Sequence, residues 1–159
     1  NNMSNLPLII KGIATKEDAK IALDHGAEVI WVSNHGGRQL DYNLGTMDML
    51  PEIVEVVNKK AKIVIDGGVQ RGSDIAKAIA LGADCVAIGK LQCWGLAAGG
   101  ETGLIRSLEI LEDEYASTLS FIGVTETKQL NQKHVCASDP VNLPHEMSSW
   151  VNFPNGRLT

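Results

Sequence analysis

The segment Ser33-Asn34-His35-Gly36-Gly37-Arg38-Gln39-Leu40-Asp41 sets an imidazole three residues ahead of a guanidinium on a glycine-flanked loop. A neutral imidazole can take up a proton, and a guanidinium fork can hold a carboxylate through two parallel hydrogen bonds. Base plus clamp is chemistry on a small organic acid. A structural role for His35 competes with this reading, because a lone histidine is more often a satisfied structural group. Position raises the functional reading: the loop follows the apolar run Val29-Ile30-Trp31-Val32, at the carboxyl end of an expected strand. That is where α/β barrels gather their catalytic groups.

Three further runs end in the same manner. Lys11-Gly12 follows Leu8-Ile9-Ile10, Asp66-Gly67-Gly68 follows Ile63-Val64-Ile65, and Gly89-Lys90 follows Cys85-Val86-Ala87-Ile88. In a barrel such ends converge on one face and form a single pocket. Gly67 and Gly68 let the backbone approach an anion, Ser73 is expected to cap the next helix, and Arg71 and Lys90 supply cations. These turns read as a phosphate site, against the plainer alternative that the glycines only make tight turns. Lys11 is a Schiff-base nucleophile, a snorkelling surface group, or a cation held against an electron-rich cofactor.

The elements that must position these groups alternate regularly. Continuous β-branched runs suit parallel strands covered on both faces. Thr15 with Asp18 resembles a capping box before Ala19–Leu23, with Gly26 as the stop. A second helix begins near Thr46 and carries Leu50, Ile53, Val54 and Val57 on one face; a third runs through Ile75, Ala78 and Ile79 to Gly82. A longer one is expected over Thr102–Phe121, followed by a short helical signal at Thr125–Leu130. The fold class is therefore α/β, with four βα units that fit either an open doubly wound sheet or part of a closed (β/α)₈ barrel. A complete barrel takes about 250 residues, so 159 residues hold about half of one. Residues 1–135 form the barrel portion, and 136–159, with Asp139-Pro140 and Leu143-Pro144, read as a surface tail.

A hydrophobic content of 44% is enough to bury a core, and the net charge of −5 argues against nucleic acid, which needs clustered Lys and Arg. No run approaches the roughly 18 apolar residues of a membrane span, so a cytoplasmic protein is the default expectation. Cys85, Cys93 and Cys136 lack CxxC spacing and read as small buried hydrophobes of a reducing compartment. His25, His35, His134 and His145 show no ligand spacing, which leaves a metal site without support.

Taken together, Pro7–Ile13, the nonapeptide Ser33–Asp41, Asp66-Gly67-Gly68 with Arg71-Gly72-Ser73-Asp74, and Ala80-Leu81-Gly82-Ala83 leading to Ile88-Gly89 resemble the FMN-dependent 2-hydroxy acid dehydrogenase and oxidase family. This family includes glycolate oxidase, flavocytochrome b2, lactate oxidase and mandelate dehydrogenase. The resemblance covers roughly residues 6 to 135, far more than a lone glycine motif. It implies an FMN-binding TIM barrel of which this chain is the C-terminal half, strands five to eight. It makes His35 the base at the hydroxyl-bearing carbon of the substrate and Arg38 the clamp on its carboxylate. Lys11 would lie against the N1 and O2 edge of the flavin, where a fixed positive charge stabilises the reduced ring. Ser33 would also touch the flavin, and Asp66, Gly67, Gly68, Val69, Gln70, Gly89 and Lys90 would lie along the ribityl phosphate. The implied reaction turns an L-2-hydroxy acid into the 2-oxo acid and reduces FMN, with oxygen, a quinone or a cytochrome as the final electron acceptor. The family also implies a homo-oligomer for the full-length protein.

Two positions depart from the family pattern, which has Arg where this chain has Gln70 and Lys90. Gln70 removes a charge near the phosphate, and Lys90 keeps a point charge without the fork. Weaker FMN phosphate binding than in a typical relative follows. A substrate tyrosine, a second arginine and a carboxylate partner for the histidine belong to the family's N-terminal half and cannot be placed here. Two other readings compete: a non-catalytic FMN- or phosphate-binding remnant, and an FMN-dependent isomerase of the type 2 isopentenyl diphosphate isomerase kind. The base-and-clamp loop speaks against the isomerase.

Overall fold

Four short strands, β1 (Ile9–Ile13), β2 (Val29–Val32), β3 (Lys62–Ile65) and β4 (Cys85–Val86), lie parallel in the order β1-β2-β3-β4. This is a computed structural model, and it describes residues 6–138. Sequential order without a reversal is the order of a barrel segment; a doubly wound sheet has a switch point where the order turns back. The tail expected over 136–159 lies, from residue 139 on, outside the described residues.

The connecting helices are α1 (Lys16–Asp24), α2 (Thr46–Val57), α3 (Gly72–Leu81) and α4 (Lys90–Phe121). Thr15 caps α1 as expected, its Oγ1 accepting from the Asp18 N–H at 3.2 Å. Gly26 then takes a φ of 87°, which stops the helix. α2 starts at the expected Thr46 and buries Leu50, Ile53 and Val57 completely.

The register explains which face is buried. Ile30 pairs with Ile10 and Ile63, and Val32 pairs with Ile13 and Ile65. These residues point to the helices, where they pack with Ala19, Leu50, Ile53, Val57 and Ala78 in one core cluster. The opposite face carries Ile9, Lys11, Val29, Trp31, Val64 and Cys85, aligned in register. None of these six is buried, so the expectation of strands covered on both faces holds only for the helix side. Within the described residues no layer packs on the second face, and that decides the burial of everything on it.

Three expectations need correction, and one helix is longer than expected. Cys85, Cys93 and Cys136 are all exposed rather than buried, Cys85 because its edge strand stands on the uncovered face. α3 is capped from Arg71, with Ser73 inside its first turn, because the Asp74 carboxylate reaches back to the N–H groups of Gln70 and Arg71, both at 3.1 Å. The helix expected over Thr102–Phe121 is the second arm of α4; the first arm, from Lys90 to the non-helical backbone at Gly99 and Gly100, is an addition to it. The two arms meet closely, since a Cβ on Gly103 would overlap the carbonyl oxygen of Gly95. The signal at Thr125–Leu130 contracts to a 3₁₀ turn, Thr127–Gln129, with another at Gln132–His134.

Candidate active site

The carboxyl ends of the four strands open into one cavity of about 660 Å³. Lys11, His35, Arg38, Asp66, Gln70 and Lys90 all line it, as do Gly67, Gly68, Val69 and Gly89. Apart from Ser33 and Arg71, the residues assigned to the site from sequence are therefore brought together. Ser33 is 2% exposed and sits beneath the wall.

Ser33 organises the floor of this site. Its hydroxyl donates to Asp66 Oδ1 at 2.5 Å and accepts from Lys11 Nζ at 2.8 Å and from the His35 N–H at 3.1 Å. One donor and two acceptor positions are all a hydroxyl has, so the group is fully used. Lys11 Nζ also pairs with Asp66 Oδ2 at 2.8 Å. The lysine keeps 43% of its side chain exposed; it is paired, and it lines the cavity.

The base-and-clamp loop leaves β2 through an unusual turn. His35, Gly36 and Gly37 all have left-handed φ, at 57°, 67° and 71°. For the non-glycine His35 this conformation costs about 1–3 kcal/mol. Local hydrogen bonds hold it: Asn34 Oδ1 accepts from the Gly37 N–H at 3.2 Å, and the Asn34 amide donates to the Leu44 carbonyl at 3.2 Å. From the far side, Lys90 Nζ donates to the Gly36 carbonyl at 2.8 Å, tying the start of α4 to the turn. Among the described residues no hydrogen bond or ion pair engages the His35 imidazole or the Arg38 guanidinium, and both line the cavity.

The glycine turn after β3 fits an anion-bearing ligand. Gly67 and Gly68 adopt φ of 100° and 78°, and Thr46 Oγ1 donates to the Gly67 carbonyl at 3.3 Å. A Cβ on Gly68 or Gly89 would meet nothing within 4 Å, so both backbones border open space. Arg71 is not part of this cradle. Its guanidinium is drawn to Glu114 of α4, with Nε to Oε2 at 3.0 Å and Nη2 to Oε1 at 2.8 Å. The same carboxylate accepts from the Gly72 N–H, so Arg71 serves the α3–α4 junction instead.

Three contributors went unassigned from sequence. Trp31 reads as one more apolar residue of a core strand, yet its Nε1 donates to Asp66 Oδ2 at 3.0 Å and it lines the cavity. The signal available was its register with Lys11, one strand over. Thr46 and Asn34 are capping types that gave no sign of a second role.

A sequence profile described as FMN-dependent dehydrogenase matches residues 1–137. The chain belongs to this family. Among FMN-dependent dehydrogenase relatives, an L-lactate oxidase of Nostoc sp. is 45% identical over 130 residues, covering 82% of this chain and 36% of the relative. The 2-hydroxyacid oxidase 2 of Homo sapiens is 44% identical, with 84% of this chain and 38% of the relative covered. A peroxisomal (S)-2-hydroxyacid oxidase of Arabidopsis thaliana is 43% identical over 84% of this chain and 37% of its own. Among solved structures, a lactate oxidase of Pediococcus acidilactici superposes with a TM-score of 0.77 at 46% identity, covering 79% of this chain and 35% of the other. A mandelate oxidase holding (S)-2-phenylpropionate gives 0.78 at 41% identity, covering 81% and 39%. The chain thus spans 36–38% of the length of these curated relatives. Among the described residues no helix is long and apolar enough to cross a membrane, and no cluster of metal-ligating side chains occurs.

FMN is the cofactor in the family's description, and the residues present fit it. The cavity lies within the roughly 300–1,000 Å³ typical of cofactor sites. It offers a paired lysine on one side and an open glycine turn with Lys90 nearby on the other.

Proposed function

We propose that this chain supplies strands five to eight, and one wall of the active site, of an enzyme that oxidises an L-2-hydroxy acid to the 2-oxo acid with FMN. The barrel half is assigned to residues 1–135. The observation that carries this reading is the convergence of Lys11, His35, Arg38 and the Gly67–Gly68 turn on one cavity.

The roles follow from the chemistry of the side chains. FMN, when bound, accepts the two electrons that the CH–OH group loses. Arg38 clamps the substrate carboxylate, and its fork fixes both oxygens, as a lysine could not. With the acid so oriented, the His35 imidazole is the base at the CH–OH group and takes up one of the two protons that the group loses with its electron pair. The strained turn aims the imidazole into the cavity, and the Ser33 and Lys90 contacts keep it there. Lys11 holds a positive charge toward the flavin, steadied by Asp66 and Ser33. Gly67, Gly68, Val69, Gln70, Gly89 and Lys90 border the phosphate end.

The test is anaerobic reduction of the FMN-loaded complete protein by a panel of 2-hydroxy acids, glycolate, L-lactate and L-mandelate among them. Bleaching of the flavin by at least one acid is expected. His35→Gln should slow that bleaching by about 10²–10⁴-fold. A panel without effect, or a His35→Gln variant as fast as the wild type, overturns the reading.

A further inference from the structure

Trp31 touches both ends of the Lys11–Asp66 ion pair. Its Nε1 donates to Asp66 Oδ2 at 3.0 Å, the same oxygen that receives Lys11 Nζ at 2.8 Å. Its ring lies 5.1 Å, centroid to nitrogen, from that same ammonium, within the range of a cation–π contact. The backbone dictates this arrangement, since Lys11 and Trp31 are register partners on adjacent strands and Asp66 directly follows β3.

We propose that Trp31 is a positioning residue which keeps part of the Lys11 charge available to the ligand of the cavity; this rests on the FMN reading above. Asp66 without the indole would have Lys11 as the sole donor on Oδ2, and the ammonium would be drawn more fully onto the carboxylate. With the indole present, the carboxylate takes three hydrogen bonds, from Ser33, Trp31 and Lys11. Each donor then carries a share of the negative charge. Lys11 spends two of its three N–H donors, on Asp66 and Ser33, and the third remains for a ligand. The ring face limits where the flexible lysine stem can swing, which a hydrogen-bond donor alone would not do.

Two measurements on the complete protein test this. In the flavin-free form, the indole N–H resonance of Trp31, assigned by its loss in Trp31→Phe, is expected to move when Asp66 is changed to Asn. A resonance that stays in place overturns the hydrogen bond and the proposal with it. In the FMN-loaded form, Trp31→Phe keeps a ring and loses the donor, and the flavin midpoint potential is expected to shift negative. In an Asp66→Asn background the same Trp31→Phe change should give no further shift, because the carboxylate it acts through is gone. An unchanged potential, or an equal shift in both backgrounds, overturns the proposal even if the resonance moves. The potential is set with a chemical reductant and a reference dye, without hydroxy acid. Failure of the substrate panel and failure of this proposal are therefore separate results.

Discussion

At the scale of single residues, the site separates groups that serve the ligand from groups that serve the frame. Arg71 and Gln70 stand side by side, and their fates differ. The Arg71 guanidinium is committed to Glu114, while Gln70 lines the cavity. The cation that the family pattern has at position 70 is thus not replaced by its neighbour. We expect Gln70→Arg in the complete protein to lower the Kd for FMN by about five- to tenfold, the equivalent of about 1–1.4 kcal/mol. A titration followed by flavin fluorescence reads this directly, and equal Kd values for the two proteins would refute it. Lys90 is less available to a phosphate than its position suggests, because the Gly36 carbonyl holds it at 2.8 Å.

At the scale of elements, tight junctions fix where the strand ends point. Gly72 opens α3 against the backbone of Glu114 and Tyr115, which a Cβ would overlap. Alanine is ordinarily the better helix former by about 1 kcal/mol, but here neither backbone can give way. Gly72→Ala is expected to destabilise by about 1–3 kcal/mol. Gly99→Ala, whose Cβ would meet nothing within 4 Å, should stay within about 0.5 kcal/mol; urea midpoints of the two variants compare them. On α1, the hydrogen bond from Lys20 holds the Asp24 carboxyl below its ordinary value. A depressed carboxylate stabilises the fold above its unfolded pKa and loses that contribution as pH falls through the folded one. Lys20→Met should therefore make Asp24 titrate at higher pH in a carbon-detected NMR titration. Local signals made these elements legible: the Thr15 cap, the apolar face of α2 and the β-branched strands all stand where periodicity and capping chemistry put them. The misplacements share a physical cause. The first arm of α4, Lys90–Ala98, is flagged by no cap and ends in a glycine pair, so only its packing against the second arm reveals it. The site was legible as residue types at strand ends. The Trp31 and Arg71 contacts were not, since they depend on which neighbour a side chain meets across the register.

At the scale of the whole molecule, the sheet ends in two strands that each have one neighbour, β1 and β4. Its second face presents Ile9, Val29, Trp31, Val64 and Cys85, and Ile9 is half exposed. Trp94, Leu96, Ile105 and Leu108 of α4 are also about half exposed. Unpaired strand edges and a contiguous apolar surface favour association with whatever completes them. Made alone, the 159-residue chain is expected to self-associate and to bind a hydrophobic dye. Without the opposite wall of the cavity to hold substrate, it should give no flavin bleaching with a 2-hydroxy acid. Val64→Glu, on the uncovered face, should lower dye binding, whereas the same charge at Ile30 on the helix face should unfold the chain. Sedimentation and dye fluorescence decide the first point, and an anaerobic flavin spectrum decides the second. A dye-silent monomer would show that the open sheet is closed by some arrangement of the chain itself. Turnover by the isolated chain would show that one wall suffices for catalysis, and the proposed division of the site between two halves of a barrel would fail.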